Sequence, residues 1–463
     1  MLNHNYYNKK NIKYFFNKIK NNKGKIKIDS REIKSGDIFI TLKGKKNNGE
    51  NYIEEALRKK ARYVITEKFF SKYNKKIIQV DDCIKTLEFL AKNKRSCYDG
   101  KIIGITGSVG KTTTKEQLKH FLQPFVKTDS SIKSYNNNLG VNLSLANLNL
   151  NSEIMIIEIG TNNFGEVKRL TKIVKPNIAI ITNIGPTHLK YFKNINNILK
   201  EKSHIFDKSI NSELESIIIP GEGKISESLY KIAKKNLNTK LYTFGQTNKS
   251  NVYPNKITKL NNDTFLVHAM IFNKIKKFKI SATGYHQIMN IFICILVFYI
   301  KNINFRLFSS NALSLPKLSG RGKVYKITMN RNKFKLIDET YNASPMSMES
   351  TIEYFSEYNT NNKILILGDM LELGIKSNFY HREIAKKLKL TIFKQVILCG
   401  KLIKSLYEVI KNNENVYYFS NKKRMSNHFQ KYINNNDVVL AKCSNSTIVN
   451  NFIKDLKENK KGK

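Results

Sequence analysis

Apolar positions along the chain follow a repeating rhythm. After Lys101, short continuous runs of mostly β-branched residues at 101–103, 154–157, 177–182 and 216–219 are separated by stretches with helical periodicity. Wholly apolar strands alternating with helices predict a parallel sheet covered on both faces. The alternation restarts beyond a polar break at 313–322, with runs at 334–337, 363–367, 395–398 and 437–440, and predicts a second doubly wound domain. Ahead of both, strand-like segments at 25–31, 37–42, 63–65 and 77–80 with one helical segment at 53–61 form a smaller mixed unit. The expected fold class is therefore α/β in three domains, 1–97, 98–313 and 314–463. Residues 1 to about 25 read as a basic lead-in or short helix, and 454–463 as a frayed lysine-rich tail. The apolar run at 288–300 contains Asn290 and falls short of the ~18 uncharged residues a membrane span needs. It predicts a buried helix.

Composition changes this picture little. A 41% hydrophobic content suffices for ordinary cores, and 463 residues suit two or three domains. The five cysteines are scattered, without Cys-x-x-Cys spacing or histidine partners, so neither a disulfide framework nor a zinc site is predicted. No apolar run follows the basic amino terminus, which argues against a secretory signal and for a cytoplasmic protein. The net charge of +45, from 81 Lys and Arg against 36 Asp and Glu, invites a nucleic-acid reading. The lysines are spread along the whole chain, as in a Lys-, Asn- and Ile-rich composition from an A+T-biased genome. Charge therefore assigns no function, and no nucleic-acid partner is expected.

The chemistry begins at Gly104-Ile-Thr-Gly-Ser-Val-Gly-Lys-Thr-Thr-Thr-Lys-Glu116, between a predicted strand and a predicted helix. Glycines at 107 and 110 would let backbone N–H groups approach a polyphosphate, with Ser108 and Val109 between them. Lys111 would reach the β- and γ-phosphates, and Thr112 would ligate a Mg²⁺ ion, with Thr113 beside it. Ile105 stands where the longer motif has its leading glycine, so the stretch alone also fits an ordinary turn. Two neighbouring strand ends carry Glu158 and His188. Each has a structural alternative, a cap or a satisfied histidine. Three strand ends bearing Thr112, Glu158 and His188 favour a cation site. Asp338 and Asp369 at later strand ends predict a second ligand face. Ser30 and Arg31 fit either a ligand contact or a capping role.

These blocks, with Glu158-Ile-Gly-Thr-Asn-Asn-Phe-Gly-Glu166, Asn183-Ile-Gly-Pro-Thr-His-Leu189, Asp338-Glu-Thr-Tyr-Asn-Ala-Ser-Pro345, Leu367-Gly-Asp-Met-Leu-Glu-Leu-Gly374 and His381, resemble the ATP-dependent Mur ligases over nearly the whole chain. The last two blocks are similar to the branch that joins D-alanyl-D-alanine to UDP-N-acetylmuramoyl-tripeptide. The resemblance implies a sugar-nucleotide domain containing Ser30 and Arg31, with Asn136 and Asn137 near that substrate. It implies Mg²⁺ at two sites held by Thr112, Glu158, His188 and a carbamylated Lys202, which taken alone reads as a surface lysine. Catalytic roles fall on Lys111, His188 and Lys202. The ATP would meet Asn290, Arg321 and Asp338, and the dipeptide Asp369 and Glu372. The implied protein is a monomer. Asn138, Asn142, His204, Gln287 and Cys443 depart from the family pattern. The alternatives are another ligase of the superfamily, including the folate glutamylating type, against which residues 367–374 argue, and a basic nucleic-acid binder with a vestigial nucleotide fold.

Overall fold

The computed structural model describes residues 6–7, 12–19, 22–44, 47–68, 75–236 and 238–458. Its strands form three sheets. The first has the spatial order Tyr6–Tyr7, Ile77–Val80, Tyr63–Thr66, Ile38–Ile40, Ile26–Lys27, all parallel. Its core is aliphatic, around Ile38, Ile40, Ile65 and Val80. The helix Ile12–Ile19 buries Phe15 and Ile19 against it. The rest of the predicted lead-in lies partly outside the described residues.

The central sheet has nine strands. Six are parallel, in the order Lys240–Phe244, Ser216–Pro220, Ile178–Ile181, Lys101–Thr106, Ile154–Glu158, Thr128–Ser130. Their burial on both faces accounts for the continuous apolar runs. Beyond Lys240–Phe244 the sheet continues into an antiparallel meander, Val252–Lys259, Thr264–Ile271 and Lys274–Ser281. The parallel rhythm did not predict it, because Lys274–Ser281 has mostly lysines on its exposed positions and lacks an apolar run. A two-residue turn at Phe272 and Asn273, both at positive φ, closes its second hairpin. The helix Tyr285–Ile300 is buried along most of its length and packs on the helix Lys111–Leu122, as expected from the 288–300 run.

The third sheet runs Lys323–Met329, Asn332–Glu339, Val438–Lys442, Lys363–Gly368, Gln395–Cys399, Val416–Phe419, with the first strand alone antiparallel. The expected frayed tail is instead a helix, Ile448–Glu458, over its first part. Phe452, Ile453 and Leu456 bury one face, and Lys457 pairs with Asp338 at 2.7 Å. Residues 459–463 lie outside the described residues. Among the described residues no helix is long and apolar enough to cross a membrane.

Candidate functional site

The phosphate loop leaves the strand Lys101–Thr106 with Gly107 at φ +147° and Gly110 at φ +84°. The helix Lys111–Leu122 follows at once, and its first turn closes with the Thr114 N–H on the Gly110 carbonyl. The N–H groups of Lys111, Thr112 and Thr113 thus have no intrahelical acceptor and form a donor cluster suited to an anion. Ser108 and Val109 are used differently from expectation. Their N–H groups donate to Asn183 O and Asn183 Oδ1, and Ser108 Oγ also engages Gly185, so both residues fasten the loop to the segment 183–188. A Cβ on Gly110 would stand 3.0 Å from Asn290 Oδ1. Asn290 therefore abuts the loop. Thr113 lines a small cavity with Gln117, Thr283, Gln287, Leu318 and Arg321.

Polar groups from three other segments converge on Thr112. Its hydroxyl donates to Glu158 Oε2 at 2.7 Å and accepts from Arg321 Nη2 at 3.1 Å, with Ser134 Oγ 3.3 Å away. Asn136 Nδ2 donates to the other carboxylate oxygen, Glu158 Oε1, at 2.7 Å. Arg321 reaches this point from the end of the 313–322 break and lies over the Tyr341 ring at 4.1 Å, a cation–π contact that steadies the guanidinium. Lys111 Nζ donates to Gly107 O at 2.9 Å. Desolvation pulls the Lys111 pKa below the ordinary lysine value; Glu158 opposes that shift and Arg321 adds to it.

Lys202, on the helix Ile195–Ser203, is 1% exposed rather than at the surface. Burial holds its pKa well below the ordinary value; the positive charge of Lys111 acts in the same direction, against Glu201 and Glu158. Burial and Lys111 both act against the ammonium form. Glu201 beside it is structural: its two oxygens accept the N–H groups of Gly165 and Val167 at 2.7 and 2.8 Å, at the start of the helix Glu166–Val174. His188 has φ +53°, and its Nδ1 lies 2.5 Å from Glu372 Oε2 of the C-terminal domain. Contact with His188 is the main cause of a lowered Glu372 pKa. The Lys190 N–H donates to Glu372 O at 3.1 Å, so residues 372–374 dock on 188–190.

Two carboxylates read from strand ends as ligand groups are instead satisfied inside the protein. Asp338 is fully buried and accepts from the Thr340 N–H and hydroxyl and from Lys457. Its neighbour Glu339, missed in the sequence, faces Lys442 and lies 3.2 Å from where a Gly322 Cβ would be. Alternation of side chains along a strand puts adjacent residues on opposite faces. Asp369 accepts three backbone N–H groups, of Lys401, Leu402 and Ile403, at 2.8–3.2 Å. His381, wholly buried, accepts the Met370 N–H at Nε2 and contacts Ser377 O at 2.8 Å through Nδ1. Together these bonds pin residues 369–374 and leave Glu372 facing the central domain.

On the far side of Glu158, a cleft is lined by Asn136, Asn137, Asn138, Thr161, Asn162 and Glu166. Asn137 itself accepts the Gly140 N–H and caps the helix Asn138–Ala146. Ser30 Oγ donates to Glu55, and Arg31 is exposed and paired bidentately with Asp29, whose carboxyl it holds down to about 2. Glu32, next in the same turn, accepts from Lys133 at 2.9 Å, which joins this turn to the segment carrying Asn136. The structure thus gathers Thr112, Glu158, Asn136 and Arg321 in one hydrogen-bonded set and brings His188 to Glu372. No three His, Cys, Asp or Glu side chains form a preassembled metal cluster among the described residues.

Three family models match the chain: the Mur ligase family catalytic domain at residues 24–95, the Mur ligase middle domain at 105–298, and the Mur ligase glutamate ligase domain at 321–445. The UDP-N-acetylmuramoyl-tripeptide--D-alanyl-D-alanine ligase of Rickettsia prowazekii is 32% identical over 424 residues, covering 91% of this chain and 93% of its own. Two solved structures share the fold at 24% identity: MurF from Acinetobacter baumannii, with a TM-score of 0.78 over 94% of this chain and 93% of that one, and MurF from Thermotoga maritima in complex with ADP, with 0.77 over 94% and 98%. The chain belongs to the Mur ligase family.

Proposed function

We propose that this chain uses ATP to join D-alanyl-D-alanine to UDP-N-acetylmuramoyl-tripeptide, as a monomer in the cytoplasm. The observation that carries the reading is the meeting of Lys111, Thr112, Glu158 and Arg321 at a phosphate loop that faces Glu372 of the third domain through His188. Residues 1–97 serve the UDP-sugar, 98–313 the ATP, and 314–463 the incoming dipeptide. Ser30, Arg31, Asn136 and Asn137 serve the sugar nucleotide, whose cleft is lined by four asparagines together with Thr161 and Glu166. Asn290, Arg321 and Glu339 serve ATP, with Asp338 holding the strand end behind them.

The tripeptide's terminal carboxylate oxygen attacks the γ-phosphorus. The bond from that phosphorus to the β,γ-bridging oxygen breaks, ADP leaves, and an acyl phosphate remains. The dipeptide amine then attacks the acyl carbon, a C–N bond forms, the C–O bond to phosphate breaks, and the amine proton goes to solvent. Lys111 and Arg321 offset charge on the transferring phosphoryl group. One carboxylate and one hydroxyl already in contact suit Mg²⁺, which takes its remaining ligands from water and phosphates. Thr112 and Glu158 would hold one ion, His188 and Lys202 a second, and bound Mg²⁺ supplies charge neutralisation on the phosphates. Lys202 would serve as a carbamate, since a buried neutral amine adds CO₂ to become an anionic oxygen ligand. Glu372 would meet the dipeptide amine, and Asp369 keeps its loop in place.

The test is the full chain incubated with UDP-N-acetylmuramoyl-tripeptide, ATP and D-alanyl-D-alanine. Equimolar ADP, phosphate and UDP-pentapeptide are expected. ADP formation that requires glutamate or a single amino acid instead of the dipeptide would assign the chain to another branch of the family.

A further inference from the structure

Lys115 lies one helical turn beyond Lys111 and is 0% exposed. Its ammonium donates to Ser131 O at 2.7 Å and to Lys133 O, and lies 3.0 Å from Glu116 Oε1. All three donors of the ammonium are thus used, which is the condition under which a lysine can be buried. Both carbonyls belong to the segment 131–137, which has little regular structure of its own and holds Lys133 at φ +48°. Ser134 and Asn136 of this segment touch Thr112 and Glu158, and the Gly160 N–H donates to Asn136 O. Lys133 extends from it to Glu32, in the turn containing Ser30 and Arg31. One buried side chain therefore ties the helix that begins at the phosphate loop to the segment that lines the amide-rich cleft and reaches the first domain.

We propose that Lys115 is a positioning residue that makes the nucleotide and sugar-nucleotide sites one mechanical unit, so that a nucleotide on the phosphate loop orders residues 131–137 for the second substrate. The inference rests on the functional reading above. Lys111 and Thr112 meet the phosphates themselves, while Lys115 points away from them and acts only through the backbone it holds. Without the ammonium, Ser131 O and Lys133 O lose their donor, and the left-handed turn at Lys133 loses its main restraint.

The test compares Lys115→Met and Lys115→Gln with the wild type, all full length. ADP affinity by calorimetry is expected to stay within about threefold, while KM for UDP-N-acetylmuramoyl-tripeptide rises about tenfold or more in Lys115→Met and less in Lys115→Gln, the range of ordinary site-to-site coupling. Hydrogen exchange should quicken at residues 131–137 and stay slow in the strand Ile154–Glu158. Parallel losses of melting temperature, ADP affinity and KM, or an unchanged KM, would overturn the proposal. Should neither variant fold, exchange in the wild type decides it: ADP must slow the amides of 131–133, and indifference there overturns it. A wild type that binds ADP and protects these amides yet does not turn over the tripeptide would sink the functional reading and leave Lys115 as the link.

Discussion

At the scale of the residue, the informative side chains are charged groups in places where charge is expensive to keep. Lys111 and Lys202 both have pKa values pulled down mainly by desolvation, yet their tasks differ. Lys111 stands at the helix start, so Lys111→Ala should lower ligation by about 10²–10³-fold with the melting temperature little changed, the loss typical of removing one preorganised transition-state contact. A folded variant ligating near the wild-type rate would refute the phosphate-loop assignment. If Lys202 serves as a carbamate as proposed, Lys202→Ala should reduce activity severely, with partial recovery in formate or acetate, because a small anion would replace the carbamate oxygen. A lysine serving only to fill space would show neither the loss nor the recovery. Burial carries this argument: at 1% exposure Lys202 has no access to the solvent that stabilises an ordinary surface ammonium.

At the scale of the element, the phosphate loop depends on its neighbours as much as on its glycines. Gly110 sits at φ +84° against Asn290 of the helix Tyr285–Ile300, so that helix forms the back wall of the loop. Gly110→Ala should cost about 1–2 kcal/mol for a left-handed alanine. The contact at 3.0 Å must also relax by displacing the Asn290 amide, so ADP affinity should fall further than stability does. Calorimetry and thermal melting on one preparation separate the two, and unchanged ADP binding would show that the loop tolerates a Cβ. The helix that supports this wall was legible from its apolar run alone, because a helix buried on nearly all sides has no polar face to confuse the pattern. The meander at 252–281 and the edge strand Lys323–Met329 were not legible, because their strands are partly exposed and Lys274–Ser281 and Lys323–Met329 carry lysines where an apolar run would be; of that last hairpin only the run at 334–337 was.

At the scale of the whole molecule, the third domain meets the central one through a buried apolar cluster, in which Leu189, Phe192 and Ile198 join Met348, Leu367 and Leu373, and through polar contacts. These include His188 with Glu372, Lys190 with Glu372, Asn262 with Asn359, and Arg321 with Thr112. A ligase needs its domains closed on one another if the dipeptide is to reach an acyl phosphate while water is excluded, and the apolar cluster favours that closed arrangement. Glu372→Ala should change stability by under about 1 kcal/mol, as expected for a single partly exposed polar contact. It should nonetheless lower kcat/KM for D-alanyl-D-alanine by up to about 10²-fold through misplacement of the loop, with KM for ATP unchanged. Equal losses for every substrate would mean that Glu372 only holds the domains together.

The sequence by itself determined the three-part α/β plan, the phosphate loop and the strand ends that carry Thr112, Glu158 and His188. These follow from local rules, since strand and helix periods, glycines where backbone must approach a ligand, and chemistry at carboxyl strand ends are all written within short windows. Only the tertiary structure decided which lysine each of two adjacent carboxylates meets, Lys457 for Asp338 and Lys442 for Glu339. Asp338 and Glu339 differ by one step of a strand, and the partner Lys457 that claims Asp338 lies 119 residues away. The same holds for Asp369, consumed by N–H groups of residues 401–403, and for Lys115 and Lys202, both buried although nothing local in the sequence marks them. Burial and hydrogen-bond partnership are properties of the packed chain, and they separate a lysine that binds, one that positions and one that merely dissolves the surface.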